Sequence, residues 1–141
     1  MSVTLNKAKR IISKAFDAAK VAEMKPLACV VLDAGGHVVA FERQDGASAG
    51  RFGIAQGKAY GAVMLGMAGR AQMARAEAQA YFIAAANGVF GGQMVPVPGG
   101  VLLRDSRGRL IGAVGVSGDT SDNDEAAALA GIEGAGLVGE P

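Results

Sequence analysis

The residues of this chain with chemistry to offer are few. They are a glycine-bearing loop, Ser117-Gly118-Asp119-Thr120, a lysine at position 58 among apolar and glycine neighbours, one histidine (His37) and one cysteine (Cys29). The loop follows the apolar run Leu110–Val116 and precedes a helical pattern that begins near Ser121. Backbone N–H groups at a helix start have no partner within the helix, so they can hold an anion or a polar ligand group. Lys58 falls on the packing side of its helix; it either snorkels its stem to water or points a cation at a ligand. His37 has no second His or Cys at ligand spacing, which argues against a metal site, although one axial imidazole is enough to hold haem. Next to Gly35-Gly36 it reads more readily as an exposed turn residue. Cys29 lies in an apolar run and reads as a small core residue, and a lone cysteine excludes an internal disulfide framework.

Other motifs fail on spacing. Gly115-Val116-Ser117-Gly118 is half of a nucleophile elbow, without the Gly-x-Ser-x-Gly interval. No dinucleotide or P-loop glycine pattern occurs. The run Asp119-x-x-Asp122-x-Asp124-Glu125 lacks the central glycine of a calcium loop, and reads as a charged helix start or as a weak cation or substrate-hydroxyl contact. The formal net charge is +1 with both signs scattered, so no nucleic-acid footprint is expected. No run is long and apolar enough for a membrane span, and Met1–Lys7 lacks a signal-peptide core, so a cytoplasmic protein is expected. A length of 141 residues suggests one domain, 1–141. With 22 glycines and no tryptophan, a domain this apolar is expected to hide surface by self-association.

The elements that must position these groups can be read in order. Thr4 is a plausible cap for an amphipathic helix over about 5–23, with Leu5, Ala8, Ile12, Ala15, Phe16 and Ala19 on one face. Lys25-Pro26 ends it. Leu27–Leu32 and His37–Arg43 form a hairpin across Asp33–Gly36. A glycine-rich helix from Ser48 or Ala49 is either tightly packed or weak, and a further helix covers Ala71–Asn87. Gln93–Val97, bounded by prolines, suits a sheet edge. Val101–Leu103 and Leu110–Val116 form a second hairpin around Asp105–Arg109, and a last helix over about Ser121–Leu137 packs Ala126, Leu129, Ala130 and Ile132 inward, followed by a tail. The order α-β-β-α-α-β-β-β-α with two hairpins predicts an α+β domain: an antiparallel five-stranded sheet flanked by helices, profilin- or PAS-like.

Four pieces carry a family resemblance: V-V-L-D-A-G-G-H-V-V-A-F-E-R-Q-D-G-A (30–47), G-K-A (57–59), P-G-G-V (98–101) and G-A-V-G-V-S-G-D-T-S-D-N-D-E (112–125). Together they resemble the GlcG/HbpS family of haem-binding or haem-degrading domains, which is also found at the C-terminus of PduO-type proteins. The resemblance implies an antiparallel sheet flanked by helices, homo-oligomers, and haem as the possible cofactor. It marks Asp33, Arg43, Asp45, Lys58, Gly99, Gly100, Ser117, Asp124 and Glu125 as shared polar positions. This chain departs from the pattern after Gly99-Gly100, where it reads Val-Leu-Leu and a proline is common.

Arg43 and Lys58 can supply positive charge, and the turn at Gly99-Gly100 and the loop at Ser117–Thr120 can supply amide donors. With Asp45 and Glu125, they suit a small ligand bearing a carboxylate, whether a haem propionate or a hydroxy- or keto-acid. Equally, Arg43, Asp45 and Asp124 can be structural ion pairs. Three functions follow as expectations. The first is a haem-type ligand-binding domain, with His37 as a candidate haem ligand. The second is a cofactor-free enzyme on a small oxygenated acid or carbonyl compound, with Lys58, Arg43 and Asp124 catalytic. The third is an oligomeric accessory or scaffold protein.

Overall fold

The computed structural model describes all 141 residues. Helix α1 (Leu5–Val21) starts at Thr4, whose hydroxyl accepts the Lys7 N–H at 3.2 Å, and buries Ala8, Ile11, Ile12, Ala15 and Ala19. The hairpin β1 (Ala28–Asp33) and β2 (Val38–Arg43) follows, then helices α2 (Arg51–Leu65), α3 (Gly69–Ala78) and α4 (Ala80–Val89). The second hairpin is β3 (Gly100–Arg104) and β4 (Leu110–Ser117), and the chain closes with α5 (Ser121–Gly134) and β5 (Val138–Glu140). The five strands lie in the order β2-β1-β4-β3-β5 and every pairing is antiparallel. This is the α+β, five-stranded antiparallel architecture that the hairpins predicted.

Two clusters of apolar side chains hold the sheet between helical layers. Cys29, Val31, Val101, Val114 and Val116 meet α1 and α5 through Ile11, Ile12, Ala15, Ala128 and Ile132. On the other face Val30, Leu32, Leu102 and Ala113 meet α2 through Ala55, Ala59 and Ala62. The α2 layer sits unusually low because its contacts are glycine and alanine. A Cβ added at Gly115 would lie 1.9 Å from the Ala55 carbonyl oxygen, and one at Gly100 would lie 2.3 Å from that of Lys58. Within α2, Gly57 and Gly61 are tightly packed too, against Val95 and Gln72.

Several element-level expectations are corrected. The helical stretch Ala71–Asn87 is broken at Gln79, whose φ of −144° and ψ of 67° interrupt the ladder between α3 and α4. Arg75 fastens the break, donating to Gln79 Oε1 and lying 4.0 Å above the Phe82 ring. Gln93–Val97 is not an edge strand; it crosses α2, with the Val95 N–H donating to the Gly57 carbonyl. The edge beside β3 is taken instead by the tail, where Leu102, Leu103 and Arg104 pair with Glu140, Gly139 and Val138. Arg104 and Glu140 close that pairing with an ion pair of 2.9 Å. In α5 the buried alanines are Ala127 and Ala128, while Ala126 is exposed.

Candidate functional site

Most of the polar positions singled out in the sequence converge where β4 hands over to α5. The Lys58 ammonium donates to Asp124 Oδ2 at 3.1 Å and to the Val116 carbonyl at 3.0 Å. Lys58 is 3% exposed and Asp124 1%. Burial pushes the Lys58 pKa down against the opposing pull of the Asp124 carboxylate, and the positive charge of Arg51 adds to the lowering. The second Asp124 oxygen accepts the Asp119 N–H at 2.9 Å. Gly99 and Gly100 wall this pair in: a Cβ at Gly99 would stand 2.8 Å from Lys58 Nζ. Ser117 is fully buried and its hydroxyl accepts from Arg51 at 3.0 Å.

The α5 start is equally satisfied from within. Thr120 caps it through the Asn123 N–H at 3.2 Å. The Asp119 carboxylate accepts from the backbone of Lys25 (2.7 Å) and Thr120 (2.7 Å) and from the Asn123 side chain (2.8 Å). Those donors hold its pKa down at about 2, the Lys25 N–H contributing most. Glu125 takes a forked contact from Arg70, with Nε at 3.2 and 3.1 Å from its two oxygens, and Arg70 also reaches Asp122 at 2.6 Å. An anion arriving at this junction would have to displace Asp124 from Lys58. The Lys58–Asp124 pair is in this geometry a tie between α2, β4 and α5, closed to solvent.

Arg43 and Asp45 stand elsewhere. Arg43 ends β2 opposite Ala28, and Ala28 in turn opposes Ser117, so Arg43 lies two strands, about 10 Å, from Ser117. Both line an open cleft of about 530 Å³ between the end of α1 and the end of β2. Its apolar wall is Phe16, Ala19, Met24 and Pro26. Lys20 and Arg43 bring positive charge to it; Glu42 and Asp45 bring negative charge. Gln44 seals the base by accepting the Leu27 N–H at 2.8 Å.

His37 is not at the cleft. It sits on the β1–β2 turn, 82% exposed, with Nδ1 3.4 Å from Asp33 Oδ1. Val38–Glu42 of β2 separate it from Arg43, on the order of 20 Å of extended chain. Asp33 organises that turn, accepting the N–H groups of His37 (3.0 Å) and Gly35 (2.9 Å), which lower its pKa, the His37 N–H most. Cys29 is sealed in the core, where burial drives its thiol pKa far up.

Sequence reading missed Arg51, Arg70, Phe16, Lys20 and Met24 as site residues. Lys20 looked like any cation on the solvated face of α1. No local spacing links it to Arg43, because the cleft is made by a helix end and a strand end that meet only in the folded chain.

These features can be set beside known proteins. The family model described as haem degrading protein HbpS-like matches residues 3–133. No curated protein matches the chain in sequence. Among solved structures, a PduOC–haem complex superposes with a TM-score of 0.86 at 21% identity, covering 100% of both chains. The ORFY protein of Klebsiella pneumoniae gives a TM-score of 0.82 at 24% identity, over 95% of this chain and 90% of that one. An HbpS double mutant from Streptomyces reticuli gives 0.78 at 24%, over 93% and 85%. Those likenesses establish a shared fold. The family match spans nearly the whole chain, and this protein belongs to the haem degrading protein HbpS-like family.

Proposed function

We propose that this protein binds a small amphiphilic carboxylate, haem being the first candidate, in the cleft between the end of α1 and the end of β2. One observation carries this reading: an apolar wall of Phe16, Ala19, Met24 and Pro26 is edged by two cations, Lys20 and Arg43, that have no ion-pair partner. A carboxylate there meets Lys20 and Arg43 without breaking an ion pair, with Glu42 and Asp45 as neighbouring negative charges; Arg43 holds the Ala47 carbonyl at 3.3 Å through one terminal nitrogen and keeps its other N–H groups for a two-point grip. A volume of about 530 Å³ suits a small ligand. Haem fits the donor set, with a flat apolar ring for the wall and propionates for the cations. When bound, it would supply redox and oxygen chemistry, while the residues of this chain hold and orient it. The family description and the haem complex of the PduOC relative support the choice.

Titration with hemin tests the reading. A saturable Soret change at low micromolar hemin is expected, weakened about ten-fold or more in a Lys20→Ala/Arg43→Ala variant. No saturable change, or an unaltered affinity in that variant, would overturn it. Lys58 and Asp124 enter this reading as architecture, not as acid–base groups, because neither reaches solvent.

Self-association belongs to the same proposal. Helix α4 buries only Ile83 and leaves Tyr81 (72%) and Val89 (78%) exposed, an apolar surface suited to a second copy. Light scattering should give a mass above the 14.1 kDa of one chain, and a mass of one chain would remove this part.

A further inference from the structure

One side chain on the cleft wall carries a soft ligand atom for iron. Cys29 is sealed in the core and His37 is at the far end of β2. That leaves the Met24 thioether, the Lys20 amine and the carboxylates of Glu42 and Asp45. Met24 is distinguished by the backbone that sets it. Helix α1 ends in a Schellman turn, in which the Met24 N–H donates to the Ala19 carbonyl at 2.9 Å and the Glu23 N–H to that of Lys20 at 3.1 Å. The left-handed position of such a turn normally takes glycine. Here it is Glu23, with φ of 56°, the one non-glycine residue in the chain with positive φ.

A residue stays in that conformation where its surroundings over-determine it. They do so here from both sides. Before it lies the closed helix turn. After it, the Lys25 N–H is held by Asp119 at 2.7 Å, Pro26 restricts its own φ, and the Leu27 N–H is held by Gln44 at 2.8 Å. Met24 lies between these anchors, half-buried, with its side chain against the edge of the α1–α5 core and on the cleft wall.

We propose that Met24 is the iron ligand of haem in this cleft, an inference that rests on the haem reading given above. Lys20 and Arg43 then serve the propionates, and the soft thioether favours reduced iron over the hard carboxylates of Glu42 and Asp45.

The test compares haem, as hemin and after reduction, with iron-free protoporphyrin IX, which offers the same ring and carboxylates but no metal. The wild-type protein is expected to bind reduced haem about ten-fold or more tightly than protoporphyrin. Met24→Leu, which conserves volume, is expected to bring the two affinities within about two-fold and to remove the spectral shift of the reduced complex. If the wild type binds neither porphyrin, the cleft reading and this inference fall together. If it binds both equally, or if Met24→Leu keeps the wild-type preference for iron, the ligand assignment alone falls.

Discussion

Lys58→Ala is expected to cost about 3–5 kcal/mol of folding stability, the range for a buried pair that loses one partner. The reason is what remains. Asp124 is 1% exposed, and without the ammonium its Oδ2 faces only the walls of the junction. The Val116 carbonyl loses its side-chain donor as well. Asp124→Ala should cost a similar amount, because it strands a buried cation and frees the Asp119 N–H. The pair is costly to break without being costly to replace. A Lys58→Met/Asp124→Leu double variant should therefore be less destabilised than the sum of its two single changes. Urea unfolding midpoints with an unchanged slope would measure all of these. A loss below about 1 kcal/mol in Lys58→Ala would mean that water reaches the pair and that it is an ordinary surface contact.

Gly115→Ala should be comparably severe, for a reason unconnected with charge. Gly115 is central in β4, with Val30 on one side and Gly100 on the other. A methyl there would overlap the Ala55 carbonyl at 1.9 Å and crowd Ala59 at 3.1 Å, both on α2. Backbone cannot rotate aside, so α2 must lift from the sheet and open a gap along Ala55, Ala59 and Ala62. A loss of about 3 kcal/mol or more is expected. It is large against a total of about 5–15 kcal/mol for a typical domain. Gly53→Ala, in α2 itself, is the control: beyond the local helix backbone, nothing lies within 4 Å of the added carbon. Its place in the first turn of α2 predicts a gain of up to about 0.5–1 kcal/mol. Equal melting temperatures for the two variants would refute the close approach of α2 that the sheet face requires.

The two predictions also explain the densest part of the sequence motif. Gly99 and Gly100 looked like donors of open amide groups to a ligand, and Gly115 like part of an incomplete nucleophile elbow. In the fold they are seats: Gly100 and Gly115 admit the α2 backbone, and Gly99 admits the Lys58 side chain. Ser117, Asp124 and Glu125 likewise find protein partners in Arg51, Lys58 and Arg70. Of the residues expected to meet a ligand, Arg43 and Asp45 line open space.

What could be read from sequence was local. The register of α1 follows from apolar residues three and four apart, and its start from a Thr4 hydroxyl three residues before the N–H that it accepts. Gly108 turns the second hairpin with φ of 76°, and the Thr120 hydroxyl caps α5 through the N–H three residues on. Such signals act within a turn or two of chain, so one sequence carries them complete. The partner of Lys58 is 66 residues away, the cleft joins Lys20 to Arg43, and the tail displaces Gln93–Val97 from the sheet edge. Those outcomes depend on which strands become neighbours and how low a helix can sit on them. They were settled only when backbone met backbone across the sheet, at positions that side-chain periodicity does not encode.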